Sequence, residues 1–195
     1  MTSHLEPAAA TRHAAPADQA RNGQQPRHPL SAATQEKILA EVARYPGRRT
    51  ALLPALKLAQ EEAGFLSPPV VAQVADLVGV SHASAWELAT FYSMLRLQPE
   101  GRVRVEVCVQ LPCALRGAQR LLRQLAEGLG ISPGETTPDG GVTLIRTPEC
   151  FGACHRAPMA RVNDAYRENL TPDATEALLA ELRQAAADGS RRDPA

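Results

Sequence analysis

The sequence predicts an α/β protein in two parts, an N-terminal helical bundle followed by a layered domain of strands and helices. Three observations carry this. Over residues 31–99 apolar side chains recur at the helical period of 3.6. At Gly101 the period drops to 2, in the segment RVRVEVCVQ. Strand-like and helix-like segments then alternate, with turn residues between them, to residue 187. The expected limits are 31–99 for the bundle and 100–187 for the second domain, with tails at 1–30 and 188–195.

In the bundle, Ser31 or Thr34 can cap a first helix whose Ile38, Leu39 and Val42 share a face. The break YPGRR precedes ALLPALKLAQEEAG, where Leu52, Leu53, Leu56 and Ala59 keep the period; Pro54 fits the first turn and Gly64 ends the helix. A third helix runs through SPPVVAQVADLVG, from Ser67 as cap to Gly79, with Val70, Val71, Val74 and Leu77 inward. Ser81 opens a fourth, SHASAWELATFYSML, whose Trp86, Phe91 and Tyr92 are expected in the core or an interface.

In the second domain, alternation places Val103, Val105, Val107 and Val109 on one face of a strand, so Cys108 leaves on the polar side with Arg104 and Glu106. LPCALRGAQRLLRQLAEGLG follows as one helix with a stripe of Leu115, Leu122, Leu125 and Leu129. TTPDGG is turn chemistry, VTLIRT a strand, MARVN a strand with NDAY as a hairpin turn into a short YREN strand, and TPDATEALLAELRQAAA a last helix capped by Thr171. The order β-α-β-β-β-α is compatible with a thioredoxin-like layer fold.

Composition narrows the function classes. Lys plus Arg and Asp plus Glu are 21 each, so no global field attracts nucleic acid or an anionic membrane. Runs such as ALLPALKLA are interrupted well short of the roughly 20 apolar residues a bilayer span needs, so no direct membrane insertion is expected. The first 30 residues, rich in Ala, Pro, Gln and His, lack the order of a secretory signal and read as a disordered tail; prolines and weak periodicity argue against a mitochondrial presequence. The glycine fingerprints of dinucleotide and phosphate binding are missing, so NADH and flavin are expected on a partner.

All four cysteines fall in two short-spaced pairs, Cys108 with Cys113 (C-x4-C) and Cys150 with Cys154 (C-x3-C). Four thiolates suit zinc or an iron–sulfur cluster. A single zinc usually takes C-x2-C turns, and the wider spacings here suit two irons, each taking sulfurs from the loops of a [2Fe–2S] site. Gly152 and Ala153 let backbone N–H groups approach sulfur, and Cys113 lies near a helix start, whose dipole favours thiolate. A structural zinc module and a thiol–disulfide oxidoreductase stay open beside the cluster reading. His155 reads as a bystander, because a Rieske-type site needs two histidines. Arg116, Arg146 and Arg156 read as rim residues that either tune or solvate the site.

The segments ELATFYSMLRLQP, VCVQLPCALRGA and GETTPDGGVTLIRTPECFGACHRAPMARVNDAYRENLTP resemble the thioredoxin-like [2Fe–2S] subunit of respiratory complex I. That is the small E-type subunit of bacterial NADH:quinone oxidoreductase, the counterpart of the mitochondrial flavoprotein-2 subunit. The resemblance runs over residues 35–182. It implies one [2Fe–2S] cluster on Cys108, Cys113, Cys150 and Cys154, and docking on a larger subunit that binds FMN and NADH. It also implies a peripheral place on the cytoplasmic side of a bacterial inner membrane, with no catalytic site in this chain alone. Related subunits serve NAD-dependent formate dehydrogenases and NAD-reducing hydrogenases; LRGA and TTPDG favour complex I. Position 151 departs from the pattern, with Phe where the resemblance leads one to expect Leu.

Overall fold

The computed structural model describes residues 29–147 and 149–187, so the expected tails, apart from residues 29 and 30, lie outside the described residues. Leu30, grouped with the tail by composition, is instead buried, and its backbone N–H donates to the Gln73 side-chain carbonyl at 3.0 Å. A large apolar side chain at the edge of a polar segment is enough to dock it.

Helix α1 (Ala32–Ala43) starts where the Ser31 hydroxyl accepts the Thr34 N–H. It buries the i, i+4 row Thr34, Ile38 and Val42, and Leu39 lies outside that narrow arc at 47% exposure. After a 3-10 turn at Arg48–Ala51, α2 (Leu52–Ala63) ends at Gly64, and α3 (Pro68–Val78) ends at the left-handed Gly79. In α3 it is Val78 that is buried, with Leu77 half-buried beside it. Helix α4 (His82–Phe91) is capped by Ser81 and stops earlier than the periodicity suggests, because Tyr92 turns extended. Its inward residues are the small Ala85 and Ala89, which let α3 and α4 pack closely, while Phe91 is 78% exposed and Trp86 38%. The buried faces of α1 to α4 share one apolar cluster.

The remaining elements are β1 (Val103–Cys108), α5 (Leu111–Leu115), α6 (Ala118–Leu129), β2 (Val142–Thr147), β3 (Ala160–Val162), β4 (Ala165–Arg167) and α7 (Pro172–Ala187). Among the described residues the strands form one mixed sheet in the order β2-β1-β3-β4. β1 runs parallel to β2 and antiparallel to β3, and β3 pairs antiparallel with β4. Val103, Val105 and Val107 pack with Leu125, Leu144 and Leu179 in a second cluster between the sheet and the α6–α7 pair.

The single helix expected after Cys113 is broken in two. Gly117 takes φ +99°, a left-handed conformation that a side chain disfavours, and restarts the chain as α6. The break turns Leu115 out of the expected stripe to 79% exposure, and Leu121 joins Leu122 and Leu125 in the core instead. Opposite the valines, β1 presents Glu106 and Cys108, both buried, so the strand has a second protected face. No helix among the described residues is long and apolar enough to cross a membrane.

Candidate metal centre

Cys108 is the last residue of β1, and Cys113 is the third residue of α5. Both are buried, in a small cluster with Ala118, Ala153, Ala157 and Met159 that is separate from the valine core. Strand alternation accounts for the place of Cys108, which points away from Val107 and Val105. Because α5 has only five residues before the break at Gly117, the dipole expected to favour thiolate at Cys113 is that of little more than one turn.

Cys150 and Cys154 lie on the loop after β2, both exposed, with their sulfurs 3.6 Å apart. Gly152 adopts φ +80°, which aims its N–H at the Cys150 sulfur at 3.4 Å. Ala153 turns inward, and Cys154 opens a 3-10 turn through Arg156. On the side of the β2 loop, the Ser93 hydroxyl donates to the Glu149 carboxylate, tying the end of the helical half to the second cysteine loop.

The two pairs meet. Ala153, which lies between Cys150 and Cys154, is buried in one cluster with Cys108 and Cys113, and Phe151 packs against that cluster. Burial, then the Cys108 hydrogen bond, pushes the Cys113 thiol up to about 12, against which the Met159 backbone N–H works only in part. The Cys154 thiol is also raised, chiefly by its hydrogen bond with Cys150. Cys150 moves the other way, lowered first by the Gly152 N–H and then by its bond with Cys154. The site therefore has one buried pair, in which the Cys113 thiol is raised, and one open pair, in which the Cys150 thiol is lowered.

This donor set fits a two-iron cluster. It consists of four thiols, the ligands that soft, sulfide-bridged iron selects. Two of them lie 3.6 Å apart on one loop, and Ala153 between those two packs with the other pair. His155 is exposed in the turn that Cys154 opens. The rim arginines are ordinary: Arg116 donates to the Ala157 carbonyl, Arg156 lies 3.4 Å from Glu168, and Arg146 is exposed.

Sequence reasoning missed three residues around the second loop. Arg161 sits over the Phe151 ring, 5.1 Å from its centroid, and pairs with buried Glu106. The Tyr166 hydroxyl donates to the Phe151 carbonyl at 2.9 Å. One signal was readable, since Glu106 lies two residues before Cys108 on the same strand face.

A thioredoxin-like α/β layer that carries four thiols beside the ends of β1 and β2 defines the class: a thioredoxin-like protein with a four-cysteine site. The chain belongs to the thioredoxin-like [2Fe-2S] ferredoxin family, whose sequence profile matches residues 38–183. It is 47% identical over 150 residues to an E-type subunit of the NADH-quinone oxidoreductase of Rhizobium meliloti, covering 77% of this chain and 89% of the relative. It is 44% identical over 144 residues to NADH-quinone oxidoreductase subunit 2 of Thermus thermophilus, covering 72% and 79%. Among solved structures, an NAD+-reducing [NiFe]-hydrogenase in the H2-reduced state matches with a TM-score of 0.59 and 22% identity. That match covers 68% of this chain and 22% of the hydrogenase chain, and it bears on the fold alone.

Proposed function

We infer that this chain is an electron-transfer subunit of an NADH-quinone oxidoreductase, holding one [2Fe–2S] cluster on Cys108, Cys113, Cys150 and Cys154. The chemistry such a cluster supplies when bound is one-electron exchange, here with FMN on a partner subunit that takes hydride from NADH. The chain's own residues hold and shield the site. Cys108 and Cys113 form a dry floor between β1 and α5, which excludes water from one side. Cys150 and Cys154 close the outer side from an exposed loop, so the face open to a partner's cofactor is theirs. The Gly152 N–H donates toward the Cys150 sulfur and favours negative charge there.

We divide the chain into a helical bundle at 31–99 and the cluster domain at 100–187, a reading supported by the separate apolar clusters of the two halves. In this reading the subunit lies in the peripheral arm, on the cytoplasmic side of a bacterial inner membrane, against the flavoprotein and with no catalytic site of its own. An NAD-reducing hydrogenase or a formate dehydrogenase could use the same residues. Relatives of 41–47% identity named as NADH-quinone oxidoreductase subunits favour the quinone enzyme.

The observation that carries the proposal is the meeting of both cysteine pairs at one place. Anaerobically purified full-length chain is expected to contain two irons and two sulfides and to give an EPR signal after dithionite. Replacing Cys108, Cys113, Cys150 or Cys154 by Ser should abolish or alter that signal. A colourless, EPR-silent protein with one zinc per chain would sink the cluster reading and restore the structural zinc module.

A further inference from the structure

We propose that a cross-strand row, Glu106, Arg161 and Tyr166, positions the outer cysteine loop through Phe151 and thereby sets how firmly, and at what potential, the cluster is held. The inference rests on the cluster reading above and adds residues that do not ligate.

The row is a product of sheet register. Glu106 on β1 pairs directly with Arg161 on β3, and Arg161 pairs directly with Tyr166 on β4. Directly opposed residues share a face, and Cys108 lies two residues beyond Glu106 on that same face. Two Arg161 nitrogens donate to one Glu106 oxygen, and Arg104 lies 3.1 Å from the other. Glu106 is 4% exposed. A buried carboxylate held by two guanidiniums is a fixed anchor, because each of its oxygens has a charged donor and moving it would strand buried charge.

On this anchor sits the residue that follows a ligand. The Arg161 guanidinium lies over the Phe151 ring, and the Tyr166 ring flanks it at 6.0 Å between centroids. The Tyr166 hydroxyl donates to the Phe151 carbonyl. Phe151 is thus gripped by side chain and by backbone, one residue away from Cys150. Its ring also packs on the inner cluster of Cys108, Cys113 and Ala153. A leucine there would keep that last contact and lose both ring interactions.

The charges give the row a signature that packing alone does not. Reduction adds negative charge at the site, so an unneutralised guanidinium nearby favours the reduced state. Glu106→Gln frees Arg161, while Arg104 keeps Glu100 at 3.7 Å, and should move the potential up. Arg161→Gln removes a cation and should move it down. Tyr166→Phe keeps the ring and loses one hydrogen bond. It should speed cluster loss to a chelator roughly 2- to 10-fold, with little change in potential. Phe151→Leu should speed loss about 2- to 5-fold.

The experiment uses the full chain, with iron and sulfide analysis, EPR-monitored redox titration and the rate of bleaching by an iron chelator. Opposite shifts for Glu106→Gln and Arg161→Gln, with faster loss in Tyr166→Phe, support the proposal. A loaded wild type whose Tyr166→Phe and Phe151→Leu variants match it in rate and potential overturns this inference and leaves the cluster reading standing. Potentials that shift in the same direction in both charge variants overturn the electrostatic role. A wild type without iron and sulfide overturns the parent reading and this one with it. Tyr166→Phe and Phe151→Leu are conservative enough to fold, and their melting curves check that they do.

Discussion

The sulfurs of Cys150 and Cys154 stand 3.6 Å apart on an exposed loop, whereas Cys108 and Cys113 are buried. One site thus contains a shielded thiol pair and an open one, and within the open pair one backbone N–H lowers the Cys150 thiol.

Without a cluster, mild oxidation should join Cys150 to Cys154 and leave the inner pair reduced. Diamide supplies the oxidant: the two thiols lose two hydrogens to it and form one disulfide. Peptide mass mapping of the cluster-free chain should find that single link, reversible by dithiothreitol. A link involving Cys108 or Cys113 would contradict the assignment of the exposed pair as the reactive one.

The same asymmetry sets a pH order for alkylation. The thiolate is the reactive form. The Gly152 N–H lowers the Cys150 thiol from its ordinary value, so its labelling by iodoacetamide should begin at lower pH than for a free cysteine. Cys113, pushed up to about 12, should resist labelling in the folded chain until the solution is strongly alkaline. Residue-resolved labelling of the apo-protein as pH rises checks both halves.

Gly152→Ala should be costly out of proportion to its size. At φ +80° an added Cβ meets no heavy atom within 4 Å, so the penalty is conformational rather than steric crowding. A left-handed residue with a side chain costs about 1 to 2 kcal/mol. Relief of that strain would also turn the N–H away from the Cys150 sulfur. Lower iron content and a lower melting temperature are the expected results.

Leu115 and Leu125 separate the legible part of the fold from the hidden part. Both carry the same side chain in what reads as one amphipathic stripe, yet Leu115 is 79% exposed and Leu125 fully buried. Leu125→Ala should therefore cost about 2 to 5 kcal/mol, and Leu115→Ala within about 0.5 kcal/mol of nothing. Urea denaturation of the two variants measures the contrast. A helical wheel assumes a continuous helix, and Gly117 interrupts this one.

Acid should weaken the turn before β2. The Thr137 hydroxyl, then the Gly141 N–H, hold the Asp139 carboxyl below its usual range. Its folded pKa lies below the unfolded value of about 3.9. The stability it contributes is therefore present above that value and lost as pH falls through the folded pKa. Asp139 is exposed, and solvent screening keeps the effect near 0.5 kcal/mol, on the order of one weak hydrogen bond. Asp139→Ala should lower the melting temperature at pH 7 and converge on wild type as pH falls through the lowered folded pKa.

Local information determined much of this protein. The change of period at Gly101, the caps at Ser31, Ser81 and Thr171, and the spacing of the cysteines are all properties of neighbouring residues, and the elements formed where they indicate. Alternation along β1 even sent Cys108 away from the valines. What only the tertiary structure decided depends on which strand lies beside which, and in what register. The parallel pairing of β1 with β2 brings the ends of both strands, and so both cysteine loops, to one edge. The antiparallel pairing of β3 places Arg161 opposite Glu106, and β4 then places Tyr166 opposite Arg161. A slip of one residue would put each side chain on the other face. No stretch of neighbouring residues encodes that choice, because Arg161 lies 55 residues from Glu106 in the chain and meets it only after the sheet has formed.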